Sequence, residues 1–126
     1  ETILVSAAAE FIRGETANSW AGEAGAFAII TQEHAELPSR IVGSVAWKDF
    51  RPFDIGLALE NFCLEATEQG IGTCILGCFN EEKLKERFHI PSFKKIALVV
   101  ALGYPADPEI REKKRRPLEE TITYLR

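Results

Sequence analysis

Between residues 54 and 69 the apolar side chains do not keep to one side: Ile55, Leu57, Ala58, Leu59, Phe62, Cys63, Leu64 and Ala66 spread around most of a helical circumference. A helix of that kind lies in the centre of a domain or between subunits, and a chain of 126 residues has little material with which to wrap it. Dimerisation is the economical solution. The sequence therefore predicts a central buried helix at a dimer interface.

The helix belongs to a longer unit, residues 54–88, that reads as helix, glycine turn, short buried segment and second helix. Asp54 is suited to accept the first-turn N–H groups, Gly70 to take the left-handed turn that ends a helix, and Asn80 to cap the next one. In that second helix Leu84 and Phe88 share a face, Glu81 and Glu82 occupy the first turn, and Lys85 and Arg87 the last. Both helices are thus fixed around residues 71–79. Gly72 and Gly77 leave that stretch bare, so a flat ligand has access to main-chain N–H groups.

The rest of the chain supplies strands around this unit. Residues 26–31, AFAIIT, form a short apolar and partly β-branched run, and residues 95–102, KIALVVAL, read as a strand buried on both faces. Residues 1–13 carry Ile3, Leu4, Ala7, Ala8 and Phe11 at near-helical spacing, which predicts an amphipathic helix. Residues 32–50 lack clean periodicity and predict a long excursion with some helix near its end. The order of elements indicates a layered α/β or α+β fold in one domain over residues 1–126, with no internal repeat.

Several chemistries can be set aside. The longest apolar run, residues 96–103, is too short to cross a bilayer, and the net charge of −4 disfavours a general nucleic-acid binder. No membrane or nucleic-acid partner is expected. The three cysteines, Cys63, Cys74 and Cys78, are an odd number in apolar surroundings; buried free thiols in a reducing, cytoplasmic setting are expected. No further Cys or His stands at ligand spacing, so no metal site is expected. His34 and His89 lack a local nucleophile, and Gly70-Ile71-Gly72 follows a helix where a dinucleotide turn would follow a strand. One charge block stands out: Arg111, Lys113, Lys114, Arg115 and Arg116, ahead of Pro117. It is either a solvated loop or an anion trap in which Lys113 and Arg115, as alternate residues of an extended segment, face one phosphate.

The series Asp54-Ile-Gly, Glu60-Asn61, Glu65-Ala66, Gly70-Ile-Gly-Thr-Cys74, Gly77, Phe79-Asn80-Glu81, Ile90-Pro91, Ala101-Leu-Gly-Tyr-Pro105 and Lys113-Lys-Arg-Arg-Pro-Leu118 resembles the C-terminal part of a nitroreductase-family flavoprotein. The likeness covers about two-thirds of the chain well, and residues 1–50 more loosely. It implies an α+β, three-layer fold with a mixed, mainly antiparallel sheet flanked by helices, an obligate homodimer, and FMN at the subunit interface. It also implies a hydride passed from NAD(P)H through flavin N5 to a nitroaromatic, quinone or similar electron acceptor, with no side-chain acid or base required.

Carried over by residue, the resemblance sets Ile75, Leu76, Gly77 and Cys78 against the flavin ring, with the Gly77 N–H facing N5 and the Cys78 N–H near O4. Lys113 and Arg115 match the phosphate-binding pair, and Asn18 loosely matches a flavin-edge contact. The family also opens with an Arg- and Ser-containing segment that grips the phosphate and ribityl chain, then a Pro-Ser, Asn and Gln-Pro-Trp region, and neither stands in this sequence. The expectation is that an N-terminal portion is lacking. The rival reading from another class is a flavin-free dimerisation or binding module on the same fold; a third is an anion- or nucleic-acid-associated protein using the basic loop.

Overall fold

The computed structural model describes residues 2–3, 11–12, 18–33, 49–107, 109 and 112–125. Four strands form one sheet in the order β1-β2-β4-β3: β1 (Thr2–Ile3), β2 (Ala26–Gln32), β3 (Gly72–Leu76) and β4 (Lys95–Gly103). All three pairings are antiparallel; no parallel pair occurs among the described residues. β4 is the centre, pairing β2 from Ala26↔Leu102 to Gln32↔Lys95 and β3 from Gly72↔Gly103 to Leu76↔Val99.

The period-two alternation of the two central strands divides the core between the faces. Phe27, Ile29, Val99 and Ala101 join Leu76, Leu84, Ile12 and Ala21 on one side, whereas Ala28, Val100 and Leu59 meet on the other. Helix α1 (Arg51–Glu68) covers the second face, and helix α2 (Glu81–Phe88) with the 3-10 turn Ser19–Glu23 covers the first. The result is a three-layer α+β fold. β4 is buried on both faces, as its unbroken apolar run requires: Val99 and Val100 are both fully buried. Its even-numbered residues do not all face one way, because the register shifts between Ile30, paired with Leu98, and Thr31, paired with Ile96. The extra residue, Ala97, turns Ile96 into the same cluster as Val99.

Both helices end in one hydrogen-bonding pattern. At the end of α1 the Gly70 N–H donates to Thr67 O at 2.9 Å and the Ile71 N–H to Ala66 O at 2.8 Å, with Gly70 at φ +74°. At the start of α2 the Asn80 side chain accepts from the Lys83 N–H at 3.0 Å, as its position predicts. The start of α1 differs from expectation. The helix begins at Arg51, with Phe50 at the cap and Asp54 inside the first turn. Pro52 fits that first turn, where its missing N–H costs nothing, so the helix starts ahead of the acidic residue. Asp49 instead accepts the Arg51 N–H at 3.1 Å and grips its guanidinium at 2.7 and 2.8 Å, which holds the Asp49 carboxyl below its ordinary range.

Three further expectations change. The predicted helix over residues 1–13 gives way at its start to strand β1, because Thr2 and Ile3 find a partner in Phe27 and Ala28; residues 11–12 are helical, and the others lie outside the described residues. The excursion after β2 falls largely on residues 34–48, also outside them. The cysteines are free, but only Cys63 is half-buried; Cys74 and Cys78 are exposed, since β3 is the last strand on its side of the sheet. Within the chain α1 is buried only along the side holding Leu59 and Ala66, and Leu57 on the far side is 68% exposed.

Candidate functional site

The stretch from the end of β3 to the cap of α2 has neither sheet nor helix bonds of its own. Leu76, paired with Val99, is the last residue of the ladder, and Asn80 opens α2. Leu76 is buried in the core, Phe79 packs against it, and Gly77 and Cys78 between them are exposed. Neither the Gly77 nor the Cys78 N–H has a partner among the described residues. A Cβ added at Gly77 would meet nothing within 4 Å, so the main chain is open to approach there. Beside it the Ile75 side chain is 50% exposed.

Among the described residues, two hydrogen bonds hold this stretch. The Asn18 carboxamide donates from Nδ2 to the Cys78 carbonyl at 3.0 Å, and the Asn80 N–H donates to the Phe11 carbonyl at 2.9 Å. Asn18 Nδ2 also lies 3.4 Å from the Ile12 carbonyl. Its backbone is left-handed, φ 60° and ψ 28°, and its carbonyl accepts the Ala21 N–H at 2.9 Å, which makes it the first residue of the Ser19–Glu23 turn. Asn tolerates that conformation better than most residues. The structure thus places Asn18, read from the resemblance as a loose flavin-edge contact, against Cys78, with its amide turned to the protein main chain.

Gly72, read from sequence as part of the bare stretch, has a different role. It lies inside β3, and a Cβ there would come within 3.3 Å of the Gly103 carbonyl, so its missing side chain serves strand pairing. Lys113 and Arg115 are exposed in the segment 112–117, with no ion pair among the described residues and no hydrogen bond to residues 75–78. The structure leaves that pair unassembled with the rest of the site. What sequence reasoning missed is the part played by Phe11 and Ile12, whose carbonyls receive Asn80 and Asn18. A carbonyl acceptor leaves no mark in side-chain identity; only the left-handed tolerance of Asn18 was a readable signal.

The donor set fits a flat heteroaromatic ring with acceptors along one edge, such as flavin. It offers two adjacent unpartnered N–H groups, a glycine with open space before it and an apolar neighbour in Ile75. Lys113 and Arg115 have the chemistry for a phosphate. Among the described residues no group of three or more His, Cys, Asp or Glu is arranged to hold a metal, and no helix is long and apolar enough to cross a membrane.

Comparison with known proteins bears on this geometry. A model described as the nitroreductase family matches residues 3–104. The fold is similar to that of a nitroreductase family protein from Streptococcus pneumoniae TIGR4, with a TM-score of 0.75 and 18% identity over 98% of this chain and 78% of that one. A nitroreductase family protein from Clostridium novyi NT is 25% identical, with a TM-score of 0.63 over 83% of this chain and 58% of that one. A protein of Staphylococcus epidermidis named as a candidate NAD(P)H:FMN oxidoreductase superposes with a TM-score of 0.71 and 17% identity, covering 99% of this chain and 74% of that one. No curated protein is significantly similar in sequence.

Proposed function

This chain belongs to the nitroreductase family, and on that premise we propose that it is an FMN-dependent oxidoreductase working as a homodimer built from one nitroreductase-like domain per chain. When bound, FMN supplies a ring that accepts a hydride from NAD(P)H at N5 and delivers it to a nitroaromatic, quinone or similar acceptor. The chain's own part is to bind, orient and stabilise. The N–H groups of Gly77 and Cys78 would be donors for N5 and O4, the acceptor atoms of the oxidised ring, and fixed main-chain dipoles orient and polarise the ring there without rearrangement. Ile75 offers an exposed apolar side chain beside them, and Leu76 anchors the segment in the core. Lys113 and Arg115 take the phosphate.

The observation that carries this reading is the pair of N–H groups on bare main chain at Gly77 and Cys78, neither with a partner among the described residues. The exposed side of α1, with Leu57 and Leu64 at helical spacing, supports the dimer: exposures of 68% and 59% are high for apolar side chains. The test is to titrate the purified protein with FMN and follow visible absorbance and flavin fluorescence. About one FMN per chain and FMN-dependent NAD(P)H oxidation with a nitroaromatic acceptor are expected. A colourless dimer that refuses FMN would leave the flavin-free binding module as the function.

A further inference from the structure

We infer that Asn18 is a positioning residue for the flavin, acting through the Cys78 carbonyl and not by touching the ring. The inference rests on the flavin reading above and adds how the Cys78 N–H donor is aimed. The Leu76–Gly77 peptide, which carries the Gly77 N–H, belongs to the last rung of β3, whereas the Gly77–Cys78 and Cys78–Phe79 peptides lie between that rung and the cap of α2, where neither ladder nor helix orients them. Among the described residues, two hydrogen bonds restrain them: Asn18 Nδ2 to Cys78 O at 3.0 Å, and Asn80 N to Phe11 O at 2.9 Å.

The amide of Asn18 has two protons, and both face carbonyls of the protein, Cys78 at 3.0 Å and Ile12 at 3.4 Å. None remains to donate to a ligand. Its backbone is fixed in turn, because its own carbonyl accepts the Ala21 N–H and Ala21 is fully buried. One residue therefore ties the core-packed turn, the 11–12 segment and the peptide that follows Cys78. Fixing the plane of that peptide restricts the torsions on either side of Cys78, and through them the direction of the Cys78 N–H group. A donor in the left-handed region sixty residues upstream costs backbone strain that a plain turn would avoid, and the tether gives that strain a use.

Two variants test this. Asn18→Gly keeps the left-handed turn and deletes the amide, whereas Asn18→Asp keeps the size but points an acceptor at two carbonyls. In the FMN-free protein the amide NMR resonance of Cys78 is expected to move in both variants, with FMN affinity lowered at least tenfold and the melting temperature of Asn18→Gly within about two degrees of the parent. FMN affinity within twofold of the parent overturns the inference. Lost affinity with an unmoved Cys78 resonance also overturns it, in favour of direct contact with flavin, and a large drop in melting temperature for Asn18→Gly assigns the residue to the fold alone. Failure of the underlying flavin reading is separately visible, as no FMN binding by the parent protein.

Discussion

His89 holds at the end of α2 the left-handed turn that Gly70 holds at the end of α1. The His89 N–H reaches Glu86 O at 3.5 Å and the Ile90 N–H reaches Lys85 O at 2.9 Å, repeating the Gly70 and Ile71 pattern, but with a side chain at φ 53°. A side chain in that region costs about 1–2 kcal/mol, partly offset by the greater chain entropy that glycine loses on folding. His89→Gly is expected to raise stability by about 0.5–1 kcal/mol, and Gly70→Ala to lower it by about 1 kcal/mol. Urea denaturation of both variants checks the pair; equal and opposite signs to these would contradict the turn assignment.

Glu81 fastens α2 to the beginning of β4. Its Oε1 accepts from Lys85 Nζ at 2.8 Å and from the Ile96 N–H at 2.9 Å, and these two partners, Lys85 first, hold its carboxyl below the ordinary value of 4.5. A carboxyl depressed by folding adds stability that is present above its unfolded value and lost as pH falls through the folded one. The stability difference between the parent and Glu81→Ala is expected to be constant near neutrality and to shrink progressively below about pH 4.5. The pair is partly exposed, so about 1 kcal/mol is the expected size. Denaturation midpoints measured from pH 7 down to the acid limit give the curve, and a difference that grows on acidification would refute it.

Replacing Lys113 and Arg115 together with Ala is expected to weaken FMN binding by tenfold or more, with the oligomeric state and the far-ultraviolet spectrum unchanged. Both side chains are exposed and without an ion pair among the described residues, so the fold does not depend on them. Their contribution should fall with salt. Fluorescence titration at two ionic strengths is the measurement; an affinity equal to the parent at both would make the loop merely solvated.

The two sides of α1 predict opposite outcomes. Leu59 is buried against Ala28 and Val100, so Leu59→Asp places a charge in the core and should prevent folding. Leu57 and Leu64 are 68% and 59% exposed within the chain, so Leu57→Asp with Leu64→Asp should leave the fold intact and yield a monomer. Sedimentation alongside circular dichroism separates the cases. A dimer surviving the double substitution would place the interface elsewhere.

The strands and caps were legible because their signals are local. Residues 95–102 carry an apolar run that only a central strand can bury, and Gly70 and Asn80 sit where helix ends need them. The start of α1 was misjudged because Asp54 competes with Pro52, and proline in a first turn is the stronger determinant. β1 was read as helix since a two-residue strand has no periodicity, and its identity comes wholly from Phe27 and Ala28 opposite. Within the site, the bareness of Gly77 was readable, whereas the tether from Asn18 to Cys78 spans sixty residues and no local pattern records it. The bulge at Ala97 was invisible for the same reason.

The open space before Gly77 uncouples two kinds of tolerance. Because a Cβ there meets nothing within 4 Å, and the backbone is not in the left-handed region, many residues can occupy position 77 in a folded chain. At Gly72, by contrast, a Cβ would sit 3.3 Å from the Gly103 carbonyl, which must give by a few tenths of an ångström to admit a side chain, so the strand pairing itself bears the cost. A saturation library sorted once for soluble abundance and once for yellow colour should therefore agree at position 72 and diverge at position 77.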